Sequence, residues 1–219
     1  MSRILVTREF AEPLAGLLVA RGFDVVHVPL VALEPTHVGP PDSSPTVVVV
    51  TSAAVARFVP GLRRYIGGAR VVAVGPVTAD SLVSVGVEVA DVGTQGGLGA
   101  LARLQLKTGD VAWYVGAEKP SRQLAMALDE QDFQRWPVYR NICPEGSSNE
   151  VAVADFDGIA FTSGSAVQAF VEARGVPDCP VIALGHTTGE VATGLGVTVS
   201  AIAEHPSLEK LADAVADQF

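Results

Sequence analysis

Hydroxyl and glycine residues stand at the ends of apolar stretches, where they could bind an anion. Runs such as VVVVTS and VIALG end in Thr, Ser or Gly and then pass into a helical pattern. In parallel α/β sheets, ligands bind beyond the carboxyl ends of the strands, where helix N-termini present unpaired N–H groups. These predicted strand ends are residues 7–8, 51–52, 75–78, 116–119, 162–165 and 185–188. The candidate binding residues there are Arg8, Ser52, Gly75, Thr78, Gly116, Ser163, Ser165, Gly185, Thr187 and Thr188.

Helix capping is the competing interpretation of these residues. Ser and Thr commonly cap helix N-termini, and for Ser52, Thr78, Ser163 or Thr187 taken singly a cap is the simpler explanation. Matching Gly-x-x-Thr turns in two halves of one chain are not something that capping requires. The set as a whole therefore indicates anion binding.

Tyr139 is the candidate for acid–base chemistry. It lies in WPVYRN, within a segment rich in turn-forming residues, so its side chain is expected to project between lobes. A phenol has an ordinary pKa of about 10 and could donate a proton or position a water molecule. The alternative is a hinge tyrosine that packs against Trp136.

An internal repeat positions these residues. TSAAVARF (51–58) and VVAVGPVTADSLVSVGVEV (71–89) return as TSGSAVQAF (162–170) and VIALGHTTGEVATGLGVTV (181–199), offset by about 110 residues. TSAAV is one residue shorter than TSGSAV, so the turn at Ser52 is expected to differ from the turn at Ser163. The repeat predicts two lobes of ordinary size.

Apolar strands alternate with helical patterns along the chain. The pattern predicts an α/β fold with two lobes, each a flavodoxin-like parallel sheet covered by helices, with a cleft between the lobes. Segments 31–46 and 137–150 are rich in Pro, Gly, Ser and Asn and are typical of linkers. If they run beside each other, residues 1–35 and 145–219 form one discontinuous lobe, and residues 40–137 form the inserted lobe.

Composition excludes several classes of protein. A formal charge of −9 and a sequence pI of about 4.8 disfavour binding to nucleic acid or to anionic membranes. The N-terminus lacks the apolar core of a signal peptide, and no run approaches the roughly 18 apolar residues of a membrane span, so we expect a cytoplasmic protein. We also expect a monomer.

Motifs for metals and nucleotides are weak. Cys143 and Cys179 have no C-x-x-C spacing, and the histidines are scattered, so neither a disulfide nor a metal site is predicted. The segment GTQGGLG (93–99) lacks a full G-x-G-x-x-G and favours a connection into a helix over a dinucleotide site. No G-x-S-x-G, H-E-x-x-H or P-loop lysine is present, which disfavours ordinary hydrolysis and phosphoryl transfer.

The motifs together, and in this order, resemble the uroporphyrinogen-III synthase family over nearly the whole chain. They are VTRE, VVTSAAV, VVAVGPVTADSLVSVG, PVYRN, FTSGSAV and VIALGHTTGEVA. The resemblance implies a two-lobed enzyme without a cofactor. Its substrate would be hydroxymethylbilane, a linear tetrapyrrole with multiple carboxylates, which is dehydrated and closed to uroporphyrinogen III with inversion of ring D.

The resemblance also implies roles for individual residues. Tyr139 matches the tyrosine that assists loss of the hydroxyl, and Arg8 and Arg122 are candidate partners for carboxylates. The residues that match the lining of the family's cleft are Ser52, Thr78, Ser163, Thr187 and Thr188.

Two other classes of function stay open. A non-catalytic two-lobed protein could bind a tetrapyrrole or another small acid and act in regulation, because fold does not fix function. A flavin or nucleotide protein on a flavodoxin-like scaffold would carry a bound cofactor or a phosphate-bearing ligand.

Overall fold

A computed structural model describes residues 1–93, 96–102, 104 and 106–219. Thr94 and Gln95, within the glycine-rich segment 93–99, lie outside the described residues. The chain divides into two compact units: unit 1 is Met1–Leu33 with Ile142–Phe219, and unit 2 is Glu34–Asn141. Both boundaries fall inside the segments 31–46 and 137–150.

Unit 1 contains a five-stranded sheet built from both ends of the chain. Its strands are β1 (Arg3–Val6), β2 (Asp24–His27), β9 (Gly158–Phe161), β10 (Val181–Ala183) and β11 (Ala201–Ile202). Their order is β11-β10-β9-β1-β2, and each neighbouring pair is parallel. The helices are α1 (Leu14–Val19), α7 (Ser147–Val153), α8 (Gly164–Arg174), α9 (His186–Gly194) and α10 (Leu208–Ala216).

Alternation along β1 shows why this sheet is covered on both faces. Ile4 and Val6 pack with residues of α1 and α10, whereas Leu5 packs with residues of α7, α8 and α9. Successive side chains of a strand point to opposite faces, so a strand buried on both sides is apolar throughout.

The described residues of unit 2 form a six-stranded sheet. Its strands are β3 (Ala32–Pro35), β4 (Val47–Val50), β5 (Arg70–Ala73), β6 (Asp91–Val92), β7 (Ala112–Ala117) and β8 (Gln134–Ile142). The order is β3-β8-β7-β4-β5-β6, and the pairs from β8 to β6 are parallel. The helices are α2 (Ala54–Phe58), α3 (Leu62–Ile66), α4 (Pro76–Ser84), α5 (Gly96–Ala102) and α6 (Arg122–Glu130).

The two units repeat one topology. The order β11-β10-β9-β1-β2 corresponds to β6-β5-β4-β7-β8, with β3 added beside β8. Gly86 and Gly196 have φ values of 79° and 80°, a left-handed conformation that glycine adopts most easily, in the turn after α4 and after α9. The predicted fold class of two mostly parallel sheets covered by helices is confirmed, and the cleft between the lobes stays a prediction.

The segments assigned to linkers contain regular structure. β3 begins in the first, and the nine-residue strand β8 runs into the second. Proline within a sheet is confined mainly to strand edges and bulges. The register between β7 and β8 shifts beside Pro137, which forms a β-bulge and accommodates the proline.

Candidate active site

Tyr139 lies on β8, at the end of the sheet of unit 2 where its parallel strands have their carboxyl termini. The side chain is buried, with 7% of its surface exposed. Tyr139 thus lies on a strand, within a segment that the sequence assigned to a linker, and its projection between the lobes stays a prediction. Its backbone carbonyl accepts a hydrogen bond from the N–H of Glu118, at an N···O distance of 2.8 Å.

The ring and hydroxyl of Tyr139 contact residues that follow β4. The ring stacks on Phe58 of α2, with 6.0 Å between ring centroids and 25° between ring planes. Burial raises the pKa of the Tyr139 phenol, and a side-chain hydrogen bond with Ser52 opposes that shift. The phenol is therefore neutral at neutral pH and can donate a proton.

A second phenol lies beside this group. Tyr114 of β7 is 1% exposed, and its Oη accepts a hydrogen bond from Thr51 Oγ1 at 3.3 Å and donates one to the carbonyl of Ala117 at 3.4 Å. Burial is the main cause that raises its pKa, and the charge that Tyr139 would carry raises it further. The two phenols are thus close enough to interact electrostatically.

Gly116 packs directly against this pair of hydroxyls. A Cβ atom at this position would lie 2.6 Å from Tyr114 Oη and 2.9 Å from Thr51 Oγ1. Glycine is needed here because no larger residue leaves room for the phenol.

The starts of α4 and α9 are built alike, one in each unit. Gly75 and Gly185 precede them in an extended conformation, with φ of −174° and −170°. A Cβ would meet no atom within 4 Å at Gly75 and only Pro206 Cβ, at 3.7 Å, at Gly185. Thr78 and Thr188 are buried on the first turns of these helices. The glycines therefore leave space beside both helix starts, where N–H groups without an intrahelical partner favour an anion, although Pro76 at the first position of α4 has no N–H.

The turns after β4 and β9 differ, as the shorter TSAAV motif predicts. Ser163 caps α8 by accepting a hydrogen bond from the N–H of Ala166 at 3.3 Å, and its Oγ lies 3.2 Å from Ser165 Oγ. Ser52 instead accepts from the N–H of Ala54 at 3.2 Å, and its hydroxyl reaches Tyr139. Helix α2 has no side-chain cap.

A cavity of about 280 Å³ in unit 1 adjoins the start of α9. Glu204 on its wall forms an ion pair with Lys210 at 3.1 Å, so the carboxylate is balanced by a cation. The cavity is lined by Leu184, Gly185, His186, Thr187, Thr188, Ala203, Glu204 and Pro206.

The two predicted arginines occupy different environments. Arg8 follows β1, its Nη1 donates to the carbonyl of Glu12 at 3.1 Å, and burial lowers its pKa against the opposing effect of Glu9. Arg122 is exposed on the first residue of α6. Beside Arg8, Thr7 Oγ1 is fully buried and has no hydrogen-bond partner in the described structure.

The structure thus groups some predicted residues within each unit. In unit 2, Ser52, Gly116 and Tyr139 adjoin one cluster of hydroxyls, and in unit 1 Gly185, Thr187 and Thr188 line one cavity. Sequence reasoning missed Phe58 and Tyr114. The available signal was Gly116, two residues after a tyrosine in an otherwise apolar strand, since glycine leaves space for a neighbouring side chain.

The described residues form neither a metal site nor a helix that could span a membrane. Within ranges 1–93, 96–102, 104 and 106–219, no group of three or more His, Cys, Asp or Glu residues could hold a metal ion. In the same ranges, every helix is too short or too polar to cross a membrane.

Comparison with known proteins decides the family. The sequence model of the family described as uroporphyrinogen-III synthase HemD matches residues 12–213. The chain belongs to this family. It is accordingly a uroporphyrinogen-III synthase, a lyase of porphyrin and haem biosynthesis. No curated protein sequence is significantly similar to it.

Solved structures of uroporphyrinogen-III synthases share the fold. A mutant uroporphyrinogen III synthase of the extremely thermophilic bacterium Thermus thermophilus is 19% identical, with a TM-score of 0.72 over 100% of this chain and 98% of that chain. The uroporphyrinogen-III synthetase of Helicobacter pylori is 18% identical, with a TM-score of 0.72 over 99% of this chain and 98% of that one. At this identity the likeness concerns the fold.

Proposed function

We propose that the chain dehydrates hydroxymethylbilane and closes it to uroporphyrinogen III, with Tyr139 as the residue that assists loss of the hydroxyl. The hydroxyl leaves as water, an azafulvene remains, ring D inverts through a spiro intermediate, and the macrocycle closes. Family membership supports the reaction, and the buried neutral phenol supports the role of Tyr139.

Departure of a hydroxyl group needs a proton, and Tyr139 is suited to supply one. Its raised pKa keeps the proton on the phenol at neutral pH, and the proton passes to the hydroxyl oxygen of the substrate as the C–O bond breaks and water leaves. The hydrogen bond from Ser52 stabilises the phenolate that forms, so donation and recovery of the proton are both possible. Phe58 holds the ring in one orientation.

Multiple carboxylates make this substrate difficult for a protein of formal charge −9. We propose that local sources of positive potential bind them: the open N–H groups at the starts of α4 and α9, and the guanidinium groups of Arg8 and Arg122. A helix N-terminus carries about half a positive elementary charge, which suits a carboxylate without a paired cation. The side chains proposed to assist are Ser52, Thr78, Ser163, Ser165, Thr187 and Thr188, and the glycines that leave the backbone open are Gly75, Gly116 and Gly185.

Several further properties belong to this proposal. The reaction needs neither redox chemistry nor a metal, so we propose that no cofactor takes part. We also propose that the chain acts as a monomer in the cytoplasm and binds neither nucleic acid nor membranes, in keeping with its acidic surface.

The Tyr139→Phe variant tests the catalytic part of the proposal. It removes one oxygen and keeps the ring that stacks on Phe58, so the fold should persist. We expect kcat to fall about tenfold to a thousandfold, near the usual scale of acid–base contributions. Tyr65→Phe is the matched control, because this tyrosine is half-exposed and packs on Trp136. Equal kcat values for the wild type and Tyr139→Phe would leave Tyr139 a packing role only.

A further inference from the structure

One peptide group connects Tyr114 to Tyr139. The Tyr114 phenol donates to the carbonyl of Ala117, and the N–H of the same peptide, on Glu118, donates to the carbonyl of Tyr139. The first bond is long, at 3.4 Å, and the second is short, at 2.8 Å. Thr51 Oγ1 donates to Tyr114 at 3.3 Å and so directs the phenol proton towards Ala117.

This peptide lies at the β-bulge between β7 and β8. Gly116 pairs with Pro137, but Ala117 pairs with Tyr139, so Val138 is the extra residue. In an unbroken register Val138 would lie opposite Ala117. A bulge changes the direction in which a side chain points. This bulge places Tyr139, in place of Val138, opposite Ala117. The orientation of the Ala117 peptide therefore helps to set the direction of Tyr139.

The internal repeat shows that the sheet itself does not need a phenol at position 114. Tyr114 pairs with Val49, and the repeat equivalent of Val49 is Ala160, which pairs with Val6. Unit 1 thus has a fully buried valine where unit 2 has Tyr114. The hydroxyl of Tyr114 is buried with hydrogen bonds to Thr51 and Ala117, which a valine at this position would not make.

We propose that Tyr114 is a positioning residue for the reaction. Its hydroxyl holds the Ala117–Glu118 peptide, which fixes the bulge and thereby aims the phenol of Tyr139. Tyr114 is almost fully buried and acts through this backbone without touching the substrate. The inference rests on the proposed role of Tyr139.

The positioning role of Tyr114 is tested by the kinetics of three variants: Tyr114→Phe, Tyr139→Phe and the double variant. We expect Tyr114→Phe to lower kcat roughly tenfold to a hundredfold with little change in KM, since a displacement of about 1 Å can cost a hundredfold in rate. In the Tyr139→Phe background the same change should cost less than about threefold, because groups that act as a unit are non-additive. Tyr65→Phe should retain full activity.

Amide hydrogen exchange supplies a second measurement, which would stay unchanged if Tyr114 only packed in the core. Loss of the Tyr114 hydroxyl should speed exchange of the Glu118 N–H specifically, while exchange in β4 and β5 stays slow. Should Tyr114→Phe not fold, Thr51→Val and Thr51→Ser replace it. The valine variant loses the donor to Tyr114 and should have the lower kcat, whereas serine keeps the donor.

The outcomes separate the two proposals. Full activity of Tyr114→Phe, or equal activity of the two Thr51 variants, together with an impaired Tyr139→Phe overturns the positioning role alone. Losses that multiply in the double variant also overturn it, because Tyr114 would then act independently of Tyr139. Full activity of Tyr139→Phe overturns both the proton-donor role and the inference built on it.

Discussion

At the scale of single residues, burial raises the pKa of both the Tyr114 and the Tyr139 phenol above the ordinary value. An unfolded tyrosine titrates at about pH 10. The folded protein holds these protons more tightly than the unfolded chain does. The contribution to stability is therefore complete below pH 10 and is lost as pH rises through the raised pKa values.

Because both pKa values are raised in the folded state, the protein should become less stable at alkaline pH. The free energy of unfolding should fall above about pH 10, and Tyr139→Phe should make the fall shallower, since one of the tightly held protons is gone. Urea unfolding at a series of pH values measures the slope, with Tyr65→Phe as the control for loss of a phenol elsewhere. A slope unchanged by Tyr139→Phe would show that this phenol titrates alike in both states.

Two threonines that each follow the last residue of a strand should respond oppositely to valine. Thr7 Oγ1 is buried without a partner, so Thr7→Val should stabilise the protein by about 1 kcal/mol. Thr51 donates to Tyr114, and Thr51→Val should destabilise it by about 1 kcal/mol. Chemical denaturation measures both changes. Destabilisation of the two variants by similar amounts would mean that Thr7 has a bonding partner in solution.

At the scale of elements, the repeat made the strand, turn and helix order predictable. Local sequence signals were enough to predict this order, because each apolar run, Gly-x-x-Thr turn and glycine stop lies within a few residues. The shorter motif TSAAV also predicted that the turn at Ser52 differs from the turn at Ser163. The strand β8 was missed because it runs into segment 137–150, whose richness in Pro, Gly, Ser and Asn is typical of a linker.

The contacts around Tyr139 could not be predicted in the same way. Phe58, Tyr114 and Tyr139 come from α2, β7 and β8, which meet only through the strand order of the sheet. The bulge at Val138 depends on hydrogen bonds between two strands and leaves no local signature beyond the proline. Non-local pairing thus determined the part of the candidate site that sequence reasoning missed.

Two glycines at ends of strands should differ sharply in their tolerance of alanine. Gly116→Ala should cost about 1–3 kcal/mol, because its Cβ would lie 2.6 Å from the rigid, buried Tyr114 phenol. Gly75→Ala should change stability by no more than about 0.5 kcal/mol, since its backbone is extended and its Cβ would meet no atom within 4 Å. Thermal unfolding compares them. Equal losses at the two positions would contradict the packing described for Gly116.

At the scale of the whole molecule, the two units differ in whether they are continuous in sequence. Unit 2 is continuous in sequence, but unit 1 needs residues 1–33 as well as 142–219. Strand β1 lies between β9 and β2, and α1 packs against α10 through Leu14, Leu18 and Leu211. Removal of the N-terminal segment would expose an edge of β9 and this apolar surface.

Fragments of the chain should therefore differ in their ability to fold alone. Residues 34–141 should fold cooperatively alone, whereas residues 142–219 should remain largely unfolded because they lack the central strand β1. Circular dichroism with thermal melting compares the two fragments. A cooperative transition of 142–219 alone would contradict the dependence of unit 1 on both ends of the chain.

Above all, we propose that the chain directs ring closure with inversion of ring D. Without an enzyme, hydroxymethylbilane closes to the uninverted type I isomer. Incubation of the purified chain with freshly prepared hydroxymethylbilane, followed by separation of the uroporphyrinogen isomers, measures this directly. We expect mainly the type III isomer. A product with the same type I content as the enzyme-free reaction, from folded protein that binds the substrate, would contradict it and indicate a binding protein.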